Sequence, residues 1–256
     1  MSSLGRQRVR SGSITYYKLN MKKKNKTPLK KFISVASKIL LGLFLFSLVQ
    51  VLFLKWSDPS TSSVMFQRQL KSWFSDGKDV KYRWFDYDEI SKQVALAVIA
   101  AEDQNFPNHF GFDFEQINKA IKEQKWRGRL RGASTITQQA AKNLFLWEGK
   151  SFIRKGLEAY YTLLLELLWT KRRILEVYLN IAEVGDAKFG VGVASEMYFK
   201  KLPKKLTRSE SALIAAVLPN PVRFSVRNPS IYVRGRQQWI MRQMESLGGT
   251  DYISDL

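Results

Sequence analysis

Hydrophobic positions divide the chain into three regimes. Residues 1–31 show no apolar period. From Phe32 to Leu54 the residues are almost all apolar, and Lys38 is the only charge. Beyond residue 88, apolar residues recur at three- and four-residue spacing, the signature of amphipathic helices. That region predicts helices over Gln93–Glu102, after a cap at Ser134, over Phe152–Trp169 and after a cap at Thr170. It also predicts one behind a capping box of Thr207 and Glu210, and a last one opened by Pro229 at its first position and closed by Gly248-Gly249. No series of alternating strands and no internal repeat occurs. The fold class expected is mainly α.

The apolar run is 23 residues with an uncharged core, Ile39 to Leu54, of 16. A helix needs about 20 residues to cross a bilayer. The run exceeds the usual signal-peptide core, and the following SDPSTSS offers no small-x-small cleavage site. A spanning helix at 32–54 is therefore expected, with Lys38 snorkelling toward the headgroups. Residues 1–31 carry ten Lys or Arg and no acid. The positive-inside rule then makes 1–31 a basic cytoplasmic tail and puts the rest on the outer, periplasmic face of the plasma (inner) membrane as a single-pass protein. Met21, before a run of lysines, is a second candidate start. Residues 55–79 read as a membrane-proximal amphipathic segment. Within it Met65–Phe74 sets Phe66, Leu70, Trp73 and Phe74 on one face beside Arg68 and Lys71, which suits an interfacial helix or a surface helix facing a core. Residues 80–250 form the main domain.

Composition narrows the chemistry. The chain of 256 residues has a formal charge of +20, no cysteine and one histidine, His109. Thiol nucleophiles, iron–sulfur clusters and multi-histidine zinc sites are excluded. Catalysis must rest on carboxylates, hydroxyls and basic groups.

Three constellations qualify. In the first, Glu102-Asp103 ends an apolar helix and is followed by Phe106, His109, Gly111 and Asp113; a carboxyl at the edge of an apolar wall has its pKa pushed toward general acid–base use. Acids at a helix C-terminus also oppose the dipole, a local conflict that favours function over a plain solvated end. In the second, Gly132 to Asn143 concentrates hydroxyls, amides and Lys142, with Thr135, Gln139 and Asn143 repeating on one face; it suits sugar hydroxyls or phosphate, and by composition alone equally a solvated face. The third, Arg154-Lys155-x-x-Glu158, is either a surface i,i+4 ion pair or a guanidinium–carboxylate pair for phosphate. Asp86-Tyr87-Asp88 imitates a metal-binding Asp-x-Asp but reads better as an N-terminal cap for the helix after it.

Taken in order, these segments resemble the family 51 peptidoglycan glycosyltransferases, in the monofunctional branch that has one N-terminal anchor and no penicillin-binding domain. The patterns E-D-x-x-F-x-x-H-x-G-x-D (Glu102 to Asp113), G-x-S-T-I-T-Q-Q-x-x-K-N (Gly132 to Asn143), R-K-x-x-E (Arg154 to Glu158) and K-x-x-I-L-E-x-Y-L-N (Lys171 to Asn180) are matched, with a looser fifth from Ala212 to Pro221. The resemblance implies a lysozyme-like glycosyltransferase domain with a small lobe dipping into the membrane. It implies polymerisation of lipid II into β-1,4-linked glycan, with inversion at the donor N-acetylmuramic acid C1 and release of undecaprenyl pyrophosphate. Glu102 matches the general base and Glu158 the second catalytic carboxylate. Lys142, Arg154 and Lys155 match pyrophosphate-binding positions, and Ser134, Thr135, Gln138, Gln139 and Asn143 donor-site positions. Asp103, Phe106 and His109 complete the substrate-binding set, more by shaping the first motif than by proton transfer. Residues 175–180 are expected to support the cleft. No cofactor is required, with Mg²⁺ or another divalent cation an optional addition at Glu158, and no fixed metal site is assigned. The implied partners are lipid II, the growing lipid-linked strand and the bilayer, with cell-wall synthesis or division proteins as further candidates and no nucleic acid.

Two other functions compete. A lysozyme-like lytic transglycosylase would use one Glu but has no need of the Lys142, Arg154 and Lys155 cluster. A membrane-anchored binding protein for anionic polymer would explain the charge but not the carboxylates.

Overall fold

A computed structural model describes residues 28–75, 77–127 and 134–256, with residues 28 and 124–127 described by their backbone alone. The basic tail up to residue 27, Met21 within it, and Gly132 of the second motif lie outside the described residues. Ten α-helices among the described residues carry the architecture: α1 (Pro28–Trp56), α2 (Ser63–Phe74), α3 (Lys92–Glu102), α4 (Phe114–Arg127), α5 (Ile136–Phe145), α6 (Phe152–Leu168), α7 (Lys171–Ile181), α8 (Gly190–Ala194), α9 (Arg208–Val217) and α10 (Ile231–Ser246). Three short strands, β1 (Lys81–Tyr82), β2 (Glu183–Gly185) and β3 (Lys188–Phe189), form a small sheet in the order β1-β3-β2. β1 runs parallel to β3 and β2 antiparallel to it. The chain is mainly helical, as the periodicity requires.

Two compact units are distinguished, the described residues up to Ser47 and residues Leu48–Leu256. Helix α1 is long and apolar enough, over Leu29–Trp56, to cross a membrane. Its last turns belong to the second unit: Val51 is buried in that unit's core, and its carbonyl accepts a 2.9 Å bond from the Trp169 indole. Arg173 donates to the carbonyls of Leu54 (3.1 Å) and Ser57 (2.9 Å), filling acceptors that a helix end leaves free.

The core of the second unit is built around α3, whose residues Val94 to Ala100 are all buried. An element apolar on every side must be surrounded. Helices α9 and α10 pack on it, while α5 packs between α6 and α7. Asn180, fully buried on α7, holds the chain leaving β1 by accepting from the Phe85 N–H and donating to its carbonyl, both at 2.9 Å. Gly190 has φ +85°, and a Cβ there would lie 2.4 Å from the Asn180 carbonyl oxygen, so only glycine fits beside this clamp.

Helix α2 buries Val64 and Met65 and exposes Phe66, Trp73 (66%) and Phe74 (86%). The aromatic face is thus solvent-facing, not a core face. Phe152, at the start of α6, is 98% exposed.

Three expected caps move by a few residues. Thr135, not Ser134, is the N-cap of α5 and forms a capping box with Gln138. Extended backbone at Thr135 and a hydroxyl in reach of the Gln138 N–H decide this. Ser230 caps α10, so Pro229 lies outside the helix and not at its first position. Asp86 caps only a single 3-10 turn, Tyr87–Glu89, and Ser91 caps α3. Helix α4, charged and weakly patterned, is an addition to the helices that periodicity predicts.

Candidate active site

Glu102 is the last residue of α3, and its side chain is 13% exposed. Two neighbours hold its carboxylate. Gln139, on the first turns of α5, donates from Nε2 to Oε2 at 3.0 Å, and Arg236 of α10 brings Nη2 to 3.5 Å from Oε1. Burial pushes the Glu102 pKa above the ordinary carboxylate range, against the Gln139 hydrogen bond and the Arg236 charge. The Tyr178 hydroxyl of α7 donates to the other end of the Gln139 amide at 3.0 Å. Because burial pushes the Tyr178 pKa well up, the phenol stays a donor. That fixes the amide oxygen toward Tyr178 and the NH₂ toward Glu102.

The first and second motifs are laced together behind this carboxylate. Asp103 is buried and accepts from His109 Nε2 at 2.9 Å and from the Ile136 N–H at 2.9 Å. Its charge therefore sits at the N-terminus of α5, where the helix dipole favours it. The Thr135 hydroxyl donates to the Gly111 carbonyl at 2.7 Å while accepting from the Gln138 N–H. Asp113 accepts from Gln116 N–H at 2.8 Å in the first turn of α4. Phe106 is wholly buried, edge-on to His109 and beneath the Lys171 ammonium. Phe106, His109 and Gln138 thus turn into the fold and hold the motifs in register; they do not line the cleft. Thr135 is buried as a cap yet borders, with Glu102 and Ser134, a cavity beside the carboxylate, while Gln139 and Asn143 face the cleft beyond it.

Gly111 has φ +75°, and a Cβ on it would lie 2.7 Å from Thr162 Cγ2 and 3.0 Å from Glu166 Cγ. Gly111→Ala is expected to lower stability by about 2 kcal/mol or more. A melting midpoint within a degree of wild type would contradict this packing.

On the other side of Gln139 lies a cavity of about 460 Å³ bordered by the basic Lys142, Lys150 and Arg154 and by Glu148 and Glu183. Glu158 is buried on α6, accepting from Arg154 Nη1 at 2.7 Å and from the Lys155 ammonium. Arg154 Nε also donates to the Gly149 carbonyl at 2.8 Å, which locks the guanidinium plane. Burial pulls the Lys142 pKa below its usual value. Gln139 and Pro219 border both this cavity and the one containing Glu102, Ser134, Arg236 and Trp239, so one cleft runs past the carboxylate to the cations.

Of the expected residues, Glu102, Ser134, Lys142, Asn143 and Arg154 are therefore brought together around Gln139. Four more join them without a sequence signal of their own role. Tyr178 lies inside the fourth motif, where only support for the cleft is expected. Glu166 accepts from Thr137 and pairs with Lys171 at 2.8 Å, a buried cluster that pins α5 to α6. Arg236 and Trp239 sit on α10, beyond all five motifs, and only the packing of α10 on α3 brings them in. Among the described residues, no three acidic or histidine side chains converge to hold a metal ion.

Comparison with known proteins agrees with this geometry. The family model described as Transglycosylase matches residues 67–245. A biosynthetic peptidoglycan transglycosylase of Cronobacter sakazakii is 52% identical over 230 residues, covering 88% of this chain and 91% of that protein. One of Escherichia coli strain 55989 is 54% identical over 215 residues, covering 83% and 86%. With its carboxylate-to-cation cleft and this similarity over most of its length, the chain belongs to the transglycosylase family and is a glycosyltransferase of peptidoglycan synthesis.

Proposed function

We propose that the enzyme polymerises lipid II, joining the 4-hydroxyl of one N-acetylglucosamine to C1 of the donor N-acetylmuramic acid. Inversion at C1 gives a β-1,4 bond, and undecaprenyl pyrophosphate leaves. The observation that carries this reading is the single cleft with a largely buried carboxylate at one end and fixed cations at the other.

In this mechanism Glu102 takes the proton from the attacking hydroxyl as the donor sugar develops oxocarbenium character. Gln139, held by Tyr178, keeps the carboxylate aimed while leaving one oxygen less tightly bound. Lys142, Arg154 and Lys155 stabilise the charge that grows on the departing pyrophosphate. Glu158 orients Arg154 and Lys155. A divalent cation held by the protein alone does not fit here, because both Glu158 oxygens already accept from cations. No step is assigned to one. Ser134 and Asn143 remain as cleft-facing groups for sugar hydroxyls. The +9 balance of residues 55–256 belongs to phosphate binding and the membrane surface, not to nucleic acid.

Topology follows the charge: the basic tail is cytoplasmic, α1 spans the plasma membrane, and the catalytic unit works on the outer face. Exposed Trp73, Phe74 and Phe152 give the membrane-proximal part, residues 55–79 included, an interfacial character. The reading needs lipid-linked substrate at that surface, and proteins of cell-wall synthesis or division are its natural neighbours.

The pH dependence tests these roles together. Glu102 must be ionised, and its pKa is raised, so activity falls on acidification at a pH above that of an ordinary glutamate. Lys142 must be charged, and its pKa is lowered, so activity falls on the alkaline side below the usual lysine range. A bell-shaped kcat/KM profile for lipid II polymerisation is expected, narrower than unperturbed groups would give. A profile flat through the acidic range would remove Glu102 as the base.

A further inference from the structure

The first three motifs supply only one of the two polar side chains that flank the Glu102 carboxylate. The second comes from α10, a helix singled out in the sequence only by its end signals. Arg236 Nη2 lies 3.5 Å from Glu102 Oε1 and 3.5 Å from the Ala101 carbonyl oxygen, so one nitrogen spans the backbone and side chain at the end of α3. Its side chain is 22% exposed, and its Nε is buried without a hydrogen-bond partner. A guanidinium in such a place forgoes solvent on one edge, and the carboxylate opposite is the compensating contact. Trp239, one turn further on, places its ring 5.9 Å from the Arg236 guanidinium carbon. Gln237, between them, is buried and donates to the Ser209 carbonyl at 2.8 Å, which ties this turn of α10 to α9. The guanidinium is thus carried on a packed helix and not on a free loop.

We propose that Arg236 is a positioning residue for proton transfer, its guanidinium holding Glu102 ionised and oriented from the side opposite Gln139. The proposal rests on the reading of Glu102 as the general base. Gln139 fixes the direction of the carboxylate and through its hydrogen bond favours the charged form most among the neighbours, while Arg236 adds to it the larger of the two cationic contributions. Arg236 supplies that charge without donating a proton, since a guanidinium stays protonated throughout the working range. It leaves the carboxylate basic enough to accept the acceptor-hydroxyl proton, because burial still outweighs it.

The other groups around the carboxylate do not substitute for it. Asp103, next in sequence, is anionic and engaged with His109 and the Ile136 N–H. Lys142 of α5 is cationic but contributes least among the groups that act on Glu102. Tyr178 of α7 is a neutral phenol directed at Gln139. Arg236 is therefore the main cation bearing on the base.

The test uses the full-length, detergent-solubilised enzyme and measures kcat and KM for lipid II across pH in wild type, Arg236→Gln, Arg236→Lys and Glu102→Gln. Removing the positive charge is expected to move the acidic limb of kcat/KM up by about one pH unit or more, so that activity on that limb falls about tenfold. Activity on the plateau stays within several-fold. Arg236→Lys keeps the charge and keeps the limb near its wild-type position, with a lower kcat from the lost planar contact. If Arg236→Gln fails to melt cooperatively, Arg236→Met, which keeps the apolar stem against Trp239, serves as the neutral variant. A folded neutral variant whose acidic limb does not move overturns the proposal and reduces Arg236 to a packing contact between α10 and α3. Substantial turnover by Glu102→Gln overturns the general-base reading itself, so the two failures are told apart.

Discussion

Glu102→Gln is expected to lower lipid II turnover by about two to four orders of magnitude while the protein remains folded. The substitution preserves size and still offers an oxygen to the Gln139 amide, which donates to Glu102 at 3.0 Å in the native cleft. What it removes is the basicity: an amide cannot accept the proton of an attacking hydroxyl. It also removes the charge facing Arg236, but that contact is long, at 3.5 Å, and partly solvated, so the melting midpoint should move by only a few degrees. Turnover assays paired with thermal melts check both halves. Near-normal turnover would contradict the assignment of the base, whatever the melt showed.

The second large effect concerns Glu158. Its side chain is 4% exposed, against 12% for Arg154 and 48% for Lys155. Removing the buried member of such a cluster leaves the largely buried Arg154 guanidinium without its carboxylate. Glu158→Ala is expected to cost about 3 kcal/mol and to depress the melting midpoint by several degrees, with donor use falling as well because neither cation is aimed. Arg154→Ala should behave differently. Lys155 still pairs with Glu158 in that variant, so stability suffers less than in Glu158→Ala, while polymerisation falls about a hundredfold through the lost pyrophosphate contact. An Arg154→Ala protein less stable than Glu158→Ala would make the i,i+4 pair a structural device and weaken the phosphate reading.

The contrast between Glu158 and Arg236 marks how far sequence reaches. Helical periodicity and capping residues reveal most of the scaffold, because apolar residues three and four apart share a face only when the backbone is helical. The apolar stretch at 32–54 is equally plain, although its helix extends from Pro28 to Trp56. Motif spacing brings out Glu102, Lys142, Arg154 and Glu158, since the chemistry demands those residue types. What spacing does not contain is direction. Phe106, His109 and Gln138 share motifs with Glu102 or its neighbours in the cleft yet point inward, because Asp103 and the capping box at Thr135 draw the polar loops over an apolar floor. Arg236 reaches the site through α3–α10 packing, with 134 residues separating it from Glu102 in sequence. No local pattern could announce it. The caps at Thr135, Ser91 and Ser230 differ from expectation by one to a few residues for a simpler reason: neighbouring hydroxyls and acids compete, and backbone geometry decides between them.

The central claim is that a buried carboxylate drives bond formation while fixed cations release a lipid pyrophosphate. The most direct measurement incubates the purified enzyme with lipid II alone and follows the new linkage by NMR together with the lipid released. The account predicts β-1,4 bonds, each accompanied by one undecaprenyl pyrophosphate, and both lowered together by orders of magnitude with Glu102→Gln. Retention of the α configuration at C1, or shortening of preformed strands without release of lipid pyrophosphate, would contradict it.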